Sequence, residues 1–403
     1  MRISIQQRIL PHYRMPFFAR LAERYQGQLT LYAGDPLQSE GVRGPEQVTG
    51  IRLHRLRNLH LRGRSGYTFC WQAGFLRSLR AATPEVAVLE ANPRILSNHC
   101  AIRLLRSRGS AVVGWGLGAL EWSVPTYVAK VRTHLVRRYH RNFDVVIGYG
   151  RSAADAFKAL GVPSNRIRIA PNSTSGTLAS ATLRQIQEHP ELVGEWKVAL
   201  GLANRPIVLF VGRLVPEKRL DVLLQACARL AGQCQLMVVG EGPEKHRLEE
   251  HAARLGQPAR FLGHRAGSEV ARCFAVADVV VMPGSGGLVV QEAMSYGKAV
   301  IVGPGETSGH NELVSHGVNG FRLATDSVDE LVERLNACLA DANRLRTMGQ
   351  ESLTIVSGRH NLEVMVDAFC SALEDARAIV NDGQGCGDHR LTFDAPSTGS
   401  SPI

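Results

Sequence analysis

Arg213 and Lys218 stand five residues apart in the stretch VGRLVPEKRLD at 211–221, directly after the apolar run 206–210. Arginine offers a planar fork of donors and lysine a compact charge, so the pair is suited to a diphosphate. Pro216, between them, fits the first turn of a helix, where its missing N–H costs nothing. The pattern predicts a strand ending at Val211 and Gly212, with both cations at the mouth of the strand-to-helix turn that follows. Two solvated surface cations are the plainer use of the same residues.

Two further turns carry glycine. VVGEGPEKHRLEE (238–250) ends a strand at Gly240 and Gly242, which allow close approach of a ligand or simply a tight turn. VMPGSGGLVVQEAMSYGKAVIV (281–302) ends a strand at Met282 and Pro283, turns through Gly284 to Gly287, and opens a helix near Leu288 and Val289. Unpaired N–H groups at a helix N-terminus, with glycine admitting the ligand, make an anion site. Glu292 lies about one turn into that helix, where it can accept hydrogen bonds from a diol or simply be solvated. Neither half carries G-x-G-x-x-G after its first strand, which argues against a nicotinamide or flavin enzyme.

Strands must deliver these turns to one place. In both halves short apolar, β-branched runs alternate with helical patterns, the signature of parallel βαβ units. Strands are expected near 2–6, 28–33, 86–90, 111–114 and 144–148, with helices near 16–25, 71–82, 94–107, 124–141 and 151–160. The second series has strands near 206–211, 235–239, 258–261, 278–282, 299–302 and 318–322. Its helices fall near 218–231, 243–255, 267–275 and 288–296, and three more follow near 327–340, 342–355 and 360–379. The fold class is α/β, with two Rossmann-like parallel-sheet domains facing each other across a cleft. The expected bounds are 1–175 for the first domain, 176–204 for a linker region that is partly helical, and 205–360 for the second domain. Residues 361–380 form a helix returning to the first domain, and 381–403, rich in Gly, Ser and Pro, a disordered tail. Ligands of such sheets bind beyond the carboxyl ends of the strands, where all three turns fall.

The 403 residues suit two domains, and 44% hydrophobic with 21% charged residues is an ordinary globular balance. No apolar run approaches the roughly 18 residues of a bilayer span, and MRISIQQRIL does not read as a secretory leader. Eight cysteines scatter without a C-x-x-C pair, as expected of buried thiols in a reducing cytoplasm. Residues 1–150 hold 22 Lys and Arg against 8 Asp and Glu, whereas the remainder holds 25 against 28. The first half is therefore expected to meet something acidic, such as anionic lipid or a pyrophosphate-linked acceptor. Nucleic acid is disfavoured, because aromatics do not interleave with the basic residues in an RNA-binding pattern. PTYVAKVRTHLVRRYHR (125–141) concentrates charge in Lys130, Arg132, Arg137, Arg138 and Arg141. Either its Val128, Val131, Leu135 and Tyr139 face the sheet, or its basic face rests on anionic lipid.

Taken in order, the Arg213–Lys218 turn, GEGP, FLGH (261–264), GLVVQEAMSYGKAVI and HGVNGFRL (316–323) after Glu312 resemble one family. It is the retaining GT-B glycosyltransferases of glycosyltransferase family 4, matched over about 206–325 in their donor domain. ILPHYRMPFFARLAERY (9–25) is more loosely similar to that family's opening strand–loop–helix, and 143–173 to the end of its acceptor domain. The resemblance implies a GT-B fold with a C-terminal helix crossing back. It implies a UDP- or GDP-sugar as substrate rather than cofactor, a glycan or lipid-linked acceptor, and a cytoplasmic protein peripheral to the inner face of the membrane. Arg213 and Lys218 would hold the diphosphate; Gly212, Gly240 and Gly242 would line the donor site; Leu262 and Gly263 would lie near the base. Gly287, Leu288 and Val289 would offer N–H groups to the phosphates, and Glu292 would bind ribose. No D-x-D occurs, so protein cations would take the place of a metal. The acceptor hydroxyl would attack from the face the leaving group departs, passing its proton to a phosphate oxygen.

Two positions depart from the family. Its Glu eight residues before the helix Glu is Gly284 here, and its acceptor-loop His corresponds to Leu117 in GWGLGALEWS (114–123). His12, in the loop 9–15, is the candidate substitute for that His. These departures leave open a weakly active or inactive sugar-nucleotide-binding relative. A nucleotide-sugar 2-epimerase of the same fold would need further acid–base carboxylates and histidines in the cleft, and no convincing set is visible.

Overall fold

The structure, a computed structural model, describes residues 1–26, 28–37, 44, 50–62, 68–118, 126–202, 204–230, 232–256, 259–304 and 309–383. Most of the expected disordered tail, from 384, and residues 119–123 of GWGLGALEWS lie outside the described residues. The first half contains β1 (Ile3–Ile9), β2 (Leu29–Gly34), β3 (Arg52–Arg62), β4 (Thr68–Ala73), β5 (Val86–Glu90), β6 (Ala111–Gly116), β7 (Val145–Gly148) and β8 (Ile167–Ile169). They lie in the order β4-β3-β2-β1-β5-β6-β7-β8, parallel except for the β3–β4 pair. Helices α1 (Met15–Tyr25), α2 (Phe75–Ala82), α3 (Leu96–Arg106), α4 (Thr126–Arg141) and α5 (Arg151–Ala159) connect them.

Three of these strands fall outside the expected series. In RLHRLRNLHLR every apolar step of β3 is broken by Arg, His or Asn, so no apolar run marks this strand near the sheet edge. β8 is three residues long, too short for a pattern. Residues 71–73, expected in a helix, belong to β4, and Gly74 (φ 83°) turns the chain into α2.

Helices α6 (Thr177–Glu188) and α7 (Leu192–Ala199) follow the crossover; Ala179 and Trp196 pack them on the core of the second sheet. That sheet contains β9 (Ile207–Val211), β10 (Gln235–Val239), β11 (Ala259–Phe261), β12 (Val279–Met282), β13 (Ala299–Val302) and β14 (Gly320–Arg322), ordered β11-β10-β9-β12-β13-β14 and parallel throughout. IVLFV, QLMVV, VVVM and AVIV are almost wholly buried, as strands covered on both faces must be. Around them lie α8 (Leu220–Arg229), α9 (Lys245–Arg254), α10 (Ser268–Val276), α11 (Leu288–Ser295), α12 (Val328–Leu339) and α13 (Ala342–Arg359).

The last helix, α14 (Leu362–Asn381), returns to the first sheet. Its Phe369 meets Phe17 and Trp115 edge-on, with ring centroids 5.1 and 5.0 Å apart. Truncating so buried a ring costs about 3–5 kcal/mol. Seven cysteines are described and all are free. Among the described residues no helix is long and apolar enough to cross a membrane. In α4 Val136, Tyr139 and His140 face the core, but Val131 and Leu135 are 51% and 59% exposed. The sheet-facing arrangement thus holds for Tyr139 and fails for those two; the side chains of Val128 and Lys130 lie outside the described residues.

Candidate functional site

β9 delivers the chain to the carboxyl edge of the second sheet at Val211. Beyond it the backbone is pinned to the neighbouring turn: Gly212 N–H donates to the Val239 carbonyl at 2.9 Å and Leu214 N–H to that of Glu241 at 3.0 Å. This packing accounts for both glycines of GEGP. A Cβ on Gly240 would lie 1.8 Å from the Gly212 carbonyl oxygen, and one on Gly242 2.3 Å from that of Leu214. The close approach they permit is to this chain's own loop. Gly240 N–H in turn donates to the Gly263 carbonyl at 2.8 Å, setting Leu262 and Gly263 beside it.

Pro216 opens a 3-10 turn, Pro216–Lys218, and α8 begins only at Leu220. Lys218 therefore lies in that turn and not in the first turn of α8. Arg219 between them is left-handed (φ 52°), a conformation costing about 1 kcal/mol for a side chain, and is tied to Asp326 at 2.5 Å. Lys218 is half-buried and its Nζ donates to the Ser285 carbonyl. Burial pushes its pKa below the ordinary lysine value; Glu217 offsets part of this, and the nearby Arg213 charge adds to it. Arg213 itself is exposed, so one solvated cation and one desolvated cation share a field at the strand end.

The glycine-rich turn after β12 meets this loop directly. A Cβ on Gly284 would lie 2.1 Å from the Glu217 carbonyl oxygen, and one on Gly286 2.4 Å from Val290 Cγ2. Gly287 differs: a Cβ there would meet nothing within 4 Å, but φ 62° with ψ −154° is a glycine conformation. It opens α11 without a side-chain cap, leaving the first N–H groups, from Leu288 and Val289, without a side-chain partner among the described residues. One turn on, Glu292 is half-buried, accepts no hydrogen bond from the described residues, and has its pKa raised by burial. Its neighbour Gln291 is fully buried. Gln291 accepts from Thr174 N–H at 2.8 Å and donates to the His360 carbonyl at 2.8 Å, so α11 holds both chain crossings between the domains.

Glu312 bridges to the first domain. Its carboxylate accepts the N–H groups of Arg151 (2.8 Å) and Ser152 (2.5 Å), capping α5 from the opposite side of the cleft. His310 Nε2 lies 3.1 Å from the Asn172 carbonyl oxygen, and burial pushes its pKa down to about 4. Across from these, the turn His12–Arg14 caps the carboxyl end of β1; His12 is exposed, whereas Arg14 is 8% exposed. Arg213, Lys218, Leu288, Val289 and Glu292 thus line one rim of the second sheet, with His12 on the first. The motifs gave no role to Arg14 or Gln291 and marked Glu312 only by its place before HGVNGFRL; each is an ordinary polar residue until its partners from distant segments are in place.

The family model described as glycosyl transferases group 1 matches residues 194–353. This segment is similar to the group 1 glycosyltransferases. The matched segment spans the second sheet and the residues on its rim. The chain is 31% identical over 210 residues to a D-inositol 3-phosphate glycosyltransferase of Nocardia farcinica, covering 47% of this chain and 46% of that protein. It is 28% identical over 273 residues to a GDP-mannose-dependent alpha-(1-6)-phosphatidylinositol monomannoside mannosyltransferase of Mycolicibacterium smegmatis, covering 64% and 65%. The matches therefore span less than two thirds of either relative. In fold it is similar to Anabaena HepE, solved in complex with UDP, with TM-score 0.74 and 20% identity over 93% of this chain and 100% of that one. The fold of the chain is GT-B.

Proposed function

We propose that the protein transfers a glycosyl group from a UDP- or GDP-sugar to a glycan or lipid-linked hydroxyl, retaining the anomeric configuration and using no divalent metal. The observation that carries this reading is Glu292, a half-buried carboxylate without a partner among the described residues, one turn past the uncapped start of α11 and on the same rim as Lys218. A ribose diol would satisfy the carboxylate while the diphosphate meets the N–H groups and the two cations. The names of the Mycolicibacterium relative, a GDP-mannose-dependent enzyme, and of HepE, solved with UDP, support such a donor.

Arg213 and Lys218 neutralise charge as the diphosphate departs, and losing one such contact costs on the order of 3 kcal/mol in the barrier. The acceptor hydroxyl attacks on the face that the leaving group vacates, and its proton goes to a phosphate oxygen. His12 faces the donor sugar in place of the family's histidine. The exposed stripe of Val131, Leu135 and Arg138 on α4 is the face that rests on anionic lipid, on the cytoplasmic side. Co-sedimentation should favour phosphatidylglycerol over phosphatidylcholine vesicles; equal partitioning would refute that part.

A second reading, a binding relative without turnover, is favoured by Gly284, where no side chain fits to hold the donor sugar. Thermal shift against UDP, GDP and ADP, followed by donor hydrolysis with Arg213→Ala and Lys218→Ala as controls, separates the two. One-sided stabilisation with hydrolysis abolished in both variants supports transfer; stabilisation without hydrolysis supports the binding relative. Hydrolysis lost on adding a chelator would overturn metal independence.

A further inference from the structure

Arg14 is buried, and among the described residues its guanidinium forms no ion pair with any carboxylate. Nη1 donates to Gln7 Oε1 at 3.0 Å and Nη2 to the Tyr149 hydroxyl at 2.5 Å, while Cζ lies 4.2 Å from the Trp115 ring centroid. Arginine stays protonated in proteins, and burying a charge without a counter-charge is costly. Tyr149 does not supply one: burial raises its pKa despite the neighbouring Arg14, so the phenol is neutral near pH 7.

The place is as telling as the charge. Gln7 lies near the carboxyl end of β1, Trp115 is the penultimate residue of β6, and Tyr149 directly follows β7. Those strand ends open on the cleft, and Gly150, next in the chain, abuts the second domain: its Cβ would lie 3.3 Å from Gly309 Cα. The donor's diphosphate already has Arg213, Lys218 and the start of α11 on the opposite rim. The counter-charge that Arg14 lacks among the described residues is one the other substrate can bring.

We propose that Arg14 binds a phosphate ester carried by the acceptor, holding it beside the half-buried Tyr149 at the carboxyl edge of the first sheet. This deepens the glycosyl-transfer reading and rests on it for the word acceptor. The test is thermal melting of the full chain. UDP, GDP or ADP, whichever stabilises, is added to saturation so that the donor site is filled. Millimolar sn-glycerol 3-phosphate, or sub-micellar dihexanoylphosphatidylglycerol in a parallel arm, is then added. Wild type should gain a further upward shift with at least one of them, and the responding arm tells a soluble phosphomonoester from a lipid phosphodiester. Arg14→Met should lose that shift while keeping the nucleotide shift. No further shift in wild type, or a shift retained in Arg14→Met, overturns the assignment. Arg14→Lys covers a variant that fails to fold: it should need at least tenfold more phosphate ester, and an unchanged dose response overturns the assignment too. If no nucleotide stabilises, the transfer reading fails, and the phosphate-ester arms still decide whether Arg14 holds an anion.

Discussion

Gly284 and Glu217 meet backbone to backbone, with a Cβ on the former only 2.1 Å from the carbonyl oxygen of the latter. The two loops that present the candidate phosphate-binding groups are thereby locked together, and the Lys218 to Ser285 hydrogen bond closes the same contact. The carboxylate that the resembled family carries at this position has no room here unless residues 217 and 218 move.

Gly284→Glu should therefore damage the protein instead of restoring a missing function. Overpacking of this kind costs about 1–3 kcal/mol, and Lys218 would be pushed from the rim. The melting temperature should fall by several degrees, and donor hydrolysis should drop with it. Wild-type stability with faster hydrolysis would show that the loops part more easily than the contact implies.

Lys218 sets a pH dependence. Burial and Arg213 hold its pKa below the ordinary 10.5, so the ammonium proposed to face the diphosphate is lost earlier on the alkaline side than an ordinary lysine's. Calorimetric affinity for the stabilising nucleoside diphosphate should fall as pH rises through that lowered value. Arg213→Ala should weaken binding at every pH yet move the alkaline limb upward, because one cause of the lowering is gone. An alkaline limb that stays put would mean that the two cations do not share a field.

His310 gives the junction an acid limb. Its folded pKa, about 4, is below the ordinary 6.5, so its contribution to stability is complete above pH 6.5 and is lost as pH falls towards 4. The slope is about 1.4 kcal/mol per pH unit inside that window. Chemical denaturation from pH 7 to pH 4 should show this loss in wild type and a flatter profile in His310→Gln. Equal slopes would assign the acid limb to other groups.

How much was legible depends on whether a residue's role is local. β9, β10, β12 and β13 announce themselves because burial on both faces demands an unbroken apolar run. β3, with one solvated side near the sheet edge, is under no such demand and hides among its arginines. Arg213, Lys218 and Glu292 stand out because charges beside glycine in a strand-to-helix turn are unusual in themselves, and the structure sets them on one rim. Arg14 acquires its character from Tyr149, 135 positions away, and Glu312 from Arg151, 161 positions away. Nothing in the spacing of HYRMPFF or HNELV records those meetings. The GEGP glycines were ambiguous for a related reason: a close neighbour was implied, but not that it would be the chain's own Gly212 and Leu214.

Because α14 walls off the first core through Met365, Phe369 and Leu373, the earliest residues to leave a ribosome are the last to find their complete set of neighbours. Phe17 and Trp115 emerge hundreds of codons before the ring that will cover them. The second half, whose core closes with Val356, has its own residues complete before α14 begins. The first core is thus completed only once the helix made last has been added to it.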